Sequence, residues 1–358
     1  MMKLRQIAAA AFGAATLGMT SAPALAQGAD FSGKTVEWII PFATGGGSDV
    51  WARFNAPFFS KYLPGNPTVV VRNVSGGGST TGTNLFADRA RPDGLTILGT
   101  SGSTQFPYLL GDPRVKYEYK DWEIVLATPT GGVVYTSPEF GSVKGLQGKP
   151  LKYASQGATS LDLVPMLAFK LLGLDVQHVF GFKGRGDGRL AFERGETQLD
   201  YQTSNAYNKN VTPLVKAGKA VPLFSFGMLD DNGNIVRDPS FPDIPSFLEV
   251  YRQVHGKDPS GDLWDAYKAF YVAGFPAQKM VFLPKGTPPA IVAAWRDAAQ
   301  KMVKDPEFIA NKGATMGEDE HALGKNAEVL FKAGTNISPK AKAYVVEMLK
   351  RDYNVKLD

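Results

Sequence analysis

Two runs of three glycines each separate an apolar strand pattern from a helix pattern. The first run, residues 45–47, follows the apolar residues 35–42 and precedes a segment with apolar side chains at helical spacing. The second run, residues 76–78, follows a β-branched strand pattern and precedes a helix that opens in serine and threonine. The unit of strand, glycine loop and helix therefore occurs twice near the start of the chain.

Later segments continue this alternation. Residues 95–104 form a strand pattern that ends in small polar residues, and residues 151–174 run through strand, Ser/Gly loop and helix. Residues 178–202 contain another glycine loop, a helix and a strand. Alternating strands and helices predict an α/β fold with parallel sheets. Ligands of such folds bind at loops beyond the carboxyl ends of the strands, and the glycine loops occupy that position.

The length of the chain and its first residues indicate two domains and export. A chain of 358 residues is long for one compact domain and predicts two. Residues 1–26 place Lys3 and Arg5 before a short apolar segment that closes on Ala-Leu-Ala, a pattern that predicts a secretory signal peptide. The sequence has no cysteine, so neither disulfides nor a lipid-modified N-terminal cysteine are available. We expect a soluble periplasmic protein that is not lipid-anchored.

The motifs give little support to catalysis. The first glycine run lacks the Lys-Ser/Thr of a P-loop, and Thr81 stands where the second run would need the last glycine of a dinucleotide fingerprint. Ser101 lacks the closing glycine of a hydrolase elbow, and the three histidines lack metal-ligand spacing. We therefore predict no cofactor, metal or catalytic residue. Two alternatives stay open: a secreted serine hydrolase that uses Ser48 or Ser101, and a periplasmic scaffold or adaptor.

The glycine loops themselves suit an anionic ligand. Backbone N–H groups at helix N-termini are unpaired, and the positive end of the helix dipole favours a carboxylate. The formal charge of +5 is mild, and without clusters of Lys and Arg it gives no case for nucleic acid. We predict a cleft for a small organic carboxylate, which is a di- or tricarboxylate, an aromatic carboxylate or an amino acid.

Several segments resemble one family of binding proteins. They include "VEWIIPFATGGGSDVWARF", "VVVRNVSGGGSTTGTNLFADRARPDGLTIL", "YASQGATS", "FPDIPSF" and "FLPKGTPPAIVAAW". Their order and spacing resemble the substrate-binding receptors of tripartite tricarboxylate transporters, the Bug family. The resemblance covers nearly the whole chain after the signal peptide, and the pair PFxxGGxxDxxAR and PDGxT is its most specific part.

The resemblance implies the type II fold of periplasmic binding proteins, in which two α/β domains joined by two crossing segments close like a flytrap on a ligand. Domain I is expected to comprise residues 27–129 and 230–358, and domain II residues 130–229. The implied function is capture of the carboxylate for presentation to membrane transporter subunits, unless the protein acts as an unpaired sensor. The protein is expected to be a monomer.

The resemblance and the glycine loops also predict the ligand-binding residues. Domain I is expected to contribute Ala43, Thr44, Gly45, Gly46, Ser48, Gly77, Gly78, Ser79, Thr80 and Ser101. Domain II is expected to contribute Ser155, Gln156, Gly157, Ala158, Thr159, Gly184, Arg185, Asp187, Thr203 and Asn205.

Two segments depart from the family pattern. Residues 183–188 introduce Arg185 and Asp187 where relatives read Lys-Gly-Gly-Ala-Pro. Arg185 could clamp a second carboxylate, Asp187 could hold an ammonium group, or the two could pair with each other or with water. Residues 250–274 form an apparent aromatic-rich insertion, which could pack over domain I or border the cleft.

Three residues of the first helix have predicted structural roles. We interpret Asp49 as a helix cap, because a carboxylate beside a bound carboxylate would repel it. Arg53 is expected to face solvent or a neighbouring acid, with direct ligand contact as the alternative. Trp51 is interpreted as domain packing, with a stacking platform for the ligand as the alternative.

Overall fold

The computed structural model describes residues 29–230, 233–317 and 320–357. The predicted signal peptide, residues 1–26, lies outside the described residues. The strands are β1 (Thr35–Ile40), β2 (Thr68–Asn73), β3 (Thr96–Gly99), β4 (Glu123–Thr128), β5 (Gly132–Thr136), β6 (Leu151–Ser155), β7 (Val176–Phe180), β8 (Leu199–Thr203), β9 (Val221–Ser225), β10 (Met228–Leu229), β11 (Ile235–Val236), β12 (Lys279–Leu283) and β13 (Ala322–Leu323).

Helices alternate with these strands through most of the chain. They are α1 (Gly47–Tyr62), α2 (Thr80–Arg89), α3 (Gly102–Leu110), α4 (Val143–Leu146), α5 (Leu163–Leu171), α6 (Arg185–Glu193), α7 (Ser204–Ala206), α8 (Thr212–Lys216), α9 (Phe247–His255), α10 (Asp262–Gly274), α11 (Pro289–Met302), α12 (Pro306–Met316), α13 (Gly324–Gly334) and α14 (Pro339–Tyr353). None of the helices in the described ranges is long and apolar enough to span a bilayer.

The strands form two main sheets and a small hairpin. One sheet has six strands in the order β13-β4-β12-β3-β1-β2, the other has five in the order β7-β6-β8-β5-β9, and β10 pairs with β11. The α/β prediction with two sheets is confirmed. The prediction of purely parallel sheets is wrong, because β12 runs antiparallel to β3 and β4, and β5 runs antiparallel to β8 and β9.

The antiparallel strands follow from how the chain crosses between the sheets. It leaves the six-stranded sheet after β4, enters the other sheet at β5, and returns after β9 to insert β12. In each sheet the strand that enters from the other sheet lies antiparallel to its neighbours. We keep the domain boundaries at 129/130 and 229/230 as a proposal. This division places all strands of the six-stranded sheet in domain I and all strands of the five-stranded sheet in domain II.

Aromatic packing anchors α1 on the six-stranded sheet. The ring of Trp51 is buried and meets that of Trp38 edge to face, with ring centres 5.2 Å apart. Its indole N–H donates to Thr128 Oγ1 at 3.2 Å. Such aromatic pairs add roughly 0.5–1.5 kcal/mol beyond the apolar area that they bury. The packing interpretation of Trp51 is confirmed.

The aromatic-rich residues 250–274 join the two halves of the molecule. We call domain I the six-stranded half and domain II the five-stranded half. The ring of Phe270 in α10 meets that of Phe106 in α3, with centres 5.0 Å apart. Helix α9 begins just before this segment, and its Phe247 packs on Phe224 in β9 with ring centres 5.4 Å apart. Both helices therefore belong to a continuous apolar core between elements of both sheets, rather than lying over domain I alone.

His321 closes a buried hydrogen-bond chain behind α1. Part of the residue reaches the surface, but its ring nitrogens bond to two buried side chains, Thr128 and Asn55, each at 2.7 Å. Asn55 Nδ2 donates to Trp51 O, so its oxygen must accept from His321 Nε2–H, and Nδ1 then accepts from Thr128. Burial of the ring lowers the pKa of His321 from 6.5 to about 3.

We expect His321 to weaken the fold as the pH falls. Its folded pKa of about 3 lies below the ordinary 6.5, so the unfolded chain takes up the proton first. Above pH 6.5 protonation of this residue does not affect stability. Below that value it lowers the free energy of unfolding by up to about 1.4 kcal/mol per pH unit. Urea unfolding from pH 7 to pH 4 measures the slope, which His321→Gln should reduce. The control is His255→Gln, since His255 is exposed. If the free energy of unfolding fell with pH equally in wild type and in His321→Gln, the assignment would be contradicted.

Candidate functional site

The first glycine loop, residues 43–47, joins β1 to α1. Gly45 has a left-handed backbone with φ of +78°, and Gly46 is the N-cap residue of α1. Asp49 accepts hydrogen bonds from Gly45 N and from Arg53 Nε, each at 2.9 Å. The prediction of Asp49 as the helix cap is wrong, because it lies inside the first turn and fixes the loop that precedes it. The prediction that Arg53 faces a neighbouring acid is confirmed.

The second glycine loop, residues 76–80, joins β2 to α2. Its three glycines have φ values of +136°, +59° and +70°, which glycine adopts without a steric penalty. Ser79 follows with φ of +105°, a rare conformation for a residue with a Cβ. Its hydroxyl donates to Ser103 O at 2.8 Å and holds the residue in that conformation.

Ser101 is the N-cap of α3. Its hydroxyl accepts from Ser103 N at 3.1 Å, and Thr104 completes a capping box. Ser103 Oγ accepts in turn from Leu161 N, at 3.0 Å, in the segment before α5. Ser101 thus caps a helix. Among the described residues, the ring nitrogens of His255 and His321 bond to residues other than Ser101.

Asp162 organises the loop after β6, residues 155–159. It is fully buried and accepts hydrogen bonds from Tyr153 Oη at 2.9 Å, Ser155 Oγ at 2.9 Å and Gln156 N at 2.6 Å. These bonds fix the start of the loop. The carbonyl oxygen of Gln156 lies 3.8 Å from the position that a Cβ on Gly78 would occupy, so this loop faces the second glycine loop.

Thr159 links this loop to the segment after α3. Its hydroxyl donates to Asp112 Oδ2 at 2.8 Å and accepts from Arg114 Nη2 at 3.1 Å, while Arg114 Nε bonds Asp112 at 2.9 Å. Burial alone would raise the pKa of Asp112, but hydrogen bonds from Arg114 and Thr159 outweigh it and lower the pKa from its ordinary value. Asp112 is therefore ionised at neutral pH, and its charge is held by Arg114.

Arg185 begins α6 and sends its side chain into the five-stranded half of the molecule. Its guanidinium pairs with buried Asp200, lies 3.5 Å from buried Asp162, and stands 5.0 Å and 4.8 Å from the ring centres of Tyr153 and Tyr201. Burial alone would lower the pKa of Arg185, but the surrounding phenolic and carboxyl groups outweigh it and keep the pKa above its ordinary value. One buried cation thus faces two buried acids.

This network changes the interpretation of the departure at residues 183–188. The pairing of Arg185 with Asp187, one of three roles left open by the sequence, is wrong, because Arg185 pairs with Asp200 and Asp162. Asp187 is half-buried in the first turn of α6. The guanidinium is committed to the interior, where its charge is already balanced.

The two halves touch directly at the first glycine loop. Ala43 N donates to Lys183 O at 3.2 Å, and Asn205 Nδ2 donates to Gly47 O at 2.6 Å. A Cβ on Gly47 would overlap Thr203 Oγ1. This contact therefore requires glycine at position 47.

In the described part of the chain, two cavities between the halves adjoin the glycine loops, and we name each by its loop. The first-loop cavity has a volume of about 20 Å³, the room for roughly one water molecule. Its lining residues are Phe42, Gly46, Gly47, Ser48, Ser101, Ser103, Gln156, Leu161, Arg185, Tyr201, Thr203 and Gln278. The second-loop cavity has a volume of about 480 Å³, within the range of small-molecule sites. Its lining residues are Gly76, Gly77, Gly78, Asp112, Pro113, Arg114, Gln156, Gly157, Ala158, Thr159, Phe180, Gly181, Phe182, Lys183, Val355 and Lys356.

The predicted ligand-binding residues divide between these cavities. Those that line the first-loop cavity are Gly46, Ser48, Ser101, Gln156, Arg185 and Thr203. Those that line the second-loop cavity are Gly77, Gly78, Gln156, Gly157, Ala158 and Thr159. The predicted residues that line neither are Ala43, Thr44, Gly45, Ser79, Thr80, Ser155, Gly184, Asp187 and Asn205.

Sequence motifs did not identify several of the lining residues. Gly47 and Ser103 were available from the sequence, since each stands within two residues of a predicted one. Gln278, Arg114 and Lys356 carry no motif, and only the fold brings them to the cavities. Within the described ranges, no group of three or more acidic or histidine side chains is placed to hold a metal ion.

Comparisons with known proteins agree with this architecture. The chain is 37% identical over 300 residues to protein BugT of Bordetella pertussis, an alignment that covers 80% of this chain and 82% of BugT. Periplasmic binding protein BugD superposes with a TM-score of 0.68 at 22% identity, covering 90% of this chain and 99% of BugD. MatC from Rhodopseudomonas palustris, solved with bound malate, superposes with a TM-score of 0.64 at 20% identity, covering 87% of this chain and 98% of MatC.

No protein-family model matches the chain. The two solved structures establish the two-domain fold of periplasmic binding proteins, as predicted. The identity to BugT extends over most of both chains. The chain therefore belongs to the Bug family of solute-binding proteins of tripartite tricarboxylate transporters.

Proposed function

We propose that this protein is a periplasmic receptor that binds a small organic carboxylate between its two halves and presents it to membrane transporter subunits. The observation that carries the proposal is the placement of the two glycine loops. Both loops lead into helix N-termini of the six-stranded half, and both line cavities that residues of the five-stranded half also line. A ligand held there contacts both halves at once.

The energetics favour a ligand that bridges the two halves. Each hydrogen bond from a backbone amide to a charged oxygen contributes about 1.5–3 kcal/mol, and association costs on the order of 4–15 kcal/mol. The amides of one loop alone leave little net binding free energy after this cost. Contacts from residues 155–159 across the cavity are therefore needed for micromolar binding. Only contacts that exist in the closed arrangement can shift the balance from open to closed.

Two observations support a carboxylate and a binding role. MatC, a protein of the same fold, was solved with bound malate. Ser101, one of the two candidate nucleophiles of the hydrolase alternative, caps α3. The proposal includes no catalytic step, and no observation favours the scaffold alternative over it.

Thermal melting of residues 27–358 against mono-, di- and tricarboxylates, aromatic acids and acidic amino acids tests the proposal. Protein that has been unfolded, dialysed and refolded is used, so that any ligand carried through purification is removed. A ligand that binds only the native state adds about 2.7 kcal/mol at a hundredfold excess over its Kd. We expect a saturable rise in Tm with at least one carboxylate. A flat response across the panel overturns the proposal, and release of product from ester substrates that depends on Ser48 or Ser101 supports the hydrolase instead.

A further inference from the structure

The second-loop cavity combines a positive charge surplus with apolar walls. Its lining includes three cations, Arg114, Lys183 and Lys356, and one acid, Asp112, which is bonded to Arg114 and Thr159. Because Asp112 is committed to these partners, the lining carries an excess of two positive charges toward an occupant. An anionic group in the cavity is attracted by this field.

The cations come from three separate parts of the chain and are held by anchored backbone. The carbonyl of Lys183 accepts from Ala43 N across the interface. Lys356 lies in the C-terminal tail, between Val355, whose N–H bonds Leu349 O, and Leu357, which is buried in the core. Both lysine side chains are exposed and have no ion-pair partner in the described ranges.

The apolar part of the wall stands beside the two lysines. Phe180 ends β7 with 38% of its surface exposed, and its ring packs on Tyr353, with ring centres 5.7 Å apart. Phe182 is anchored by its N–H, which bonds Ser155 O at 3.1 Å. Val355 of the tail completes this wall. An exposed phenylalanine at a cavity mouth is a surface on which an apolar ligand body can be buried.

We propose that the second-loop cavity selects a dianionic carboxylate with an apolar body, one of whose anionic groups is recognised by Lys183 and Lys356. The other carboxylate meets the backbone of the second glycine loop, and the apolar body lies against Phe180 and Val355. This inference rests on the proposed function and names the ligand class and two residues that determine specificity. The C-terminal tail is thereby part of the binding site.

The test compares benzene-1,4-dicarboxylate with benzoate, two probes that differ by one carboxylate on the same ring. Titration calorimetry is expected to give wild-type protein at least a tenfold lower Kd for the dicarboxylate. The double variant K183Q/K356Q should lose most of this preference while its Kd for benzoate changes less than threefold. The preference of wild type should also fall as ionic strength rises, since partly exposed ion pairs are screened by salt.

A matched variant separates direct contact from the field of the whole protein. K149Q/K257Q removes the same charge from two exposed lysines that do not line the cavity, and it should keep the wild-type preference. Equal loss in both double variants, or an unchanged preference in K183Q/K356Q, overturns this inference while the receptor function stands. Equal binding of both probes by the wild-type protein would also overturn this inference. If the wild-type protein binds other carboxylates but neither probe, the proposed ligand class is excluded. Failure of the whole carboxylate panel in thermal melting overturns the receptor function itself.

Discussion

Gly47→Ala is expected to raise the Kd for the carboxylate at least tenfold, while the unfolding midpoint in the absence of ligand stays near that of wild type. The new methyl group would overlap Thr203 Oγ1 and would come within 3.0 Å of Asn205 Oδ1. Neither contact exists when the two halves separate, so the substitution penalises the closed arrangement alone. A tenfold change in Kd corresponds to about 1.4 kcal/mol. Calorimetric titration with the carboxylate that gives the largest melting shift measures the effect.

Two further variants make this result specific. Gly313→Ala places the same methyl group in α12 with nothing within 4 Å of it, and its Kd should match wild type. Thr203→Ala removes the hydroxyl that Gly47→Ala meets, so the double variant should recover part of the lost affinity. If Gly47→Ala binds as tightly as wild type, the contact between Gly47 and Thr203 is not needed for binding, and closure at the first glycine loop is refuted.

Arg185→Met is expected to lower the free energy of unfolding by about 3–5 kcal/mol, the usual cost of removing one partner from a buried ion pair. The substitution leaves Asp200 and Asp162 buried without their cation. It also removes the group that stacks between Tyr153 and Tyr201. Urea unfolding at pH 7, followed by circular dichroism and tryptophan fluorescence, measures the loss.

The control for this variant lies at the other end of the same helix. Arg194 pairs with Glu196 on the surface, and Arg194→Met should leave the unfolding midpoint unchanged, since exposed ion pairs contribute little. A fully stable Arg185→Met protein that has lost dicarboxylate binding would assign Arg185 to the ligand after all. The two results therefore decide between a structural cation and a ligand clamp.

The local parts of the fold could be predicted from the sequence because they rest on local rules. The apolar run before each glycine loop became a strand, and helical spacing after each loop became α1 and α2. Pro289 opens α11, because proline suits the first position of a helix. The direction of β5 and β12 was not available from periodicity, because it depends on where the chain crosses between sheets.

The candidate site was predictable only in part, for the same reason. The glycine loops have a backbone signature that the sequence displays directly. The partners of Arg185 do not, because Asp162 and Asp200 lie more than a dozen residues away and reach it through the sheet. The helix cap was predicted at Asp49, a few residues after the observed N-cap Gly46. A carboxylate in the first turn can accept from the preceding loop as well as from its own helix, and Asp49 accepts from Gly45 N. Lys356 reaches the second-loop cavity from the end of the chain.

The measurement that tests the central claim most directly is a crystal structure of residues 27–358 grown with the carboxylate that gives the largest melting shift. The account predicts the ligand between the two halves, in the second-loop cavity. One of its carboxylates should lie within hydrogen-bond distance of the backbone of residues 76–80, and residues 155–159 should contact it from the other side. A ligand bound away from both glycine loops, for example in the cavity beside Pro129 and Tyr271, would contradict the account.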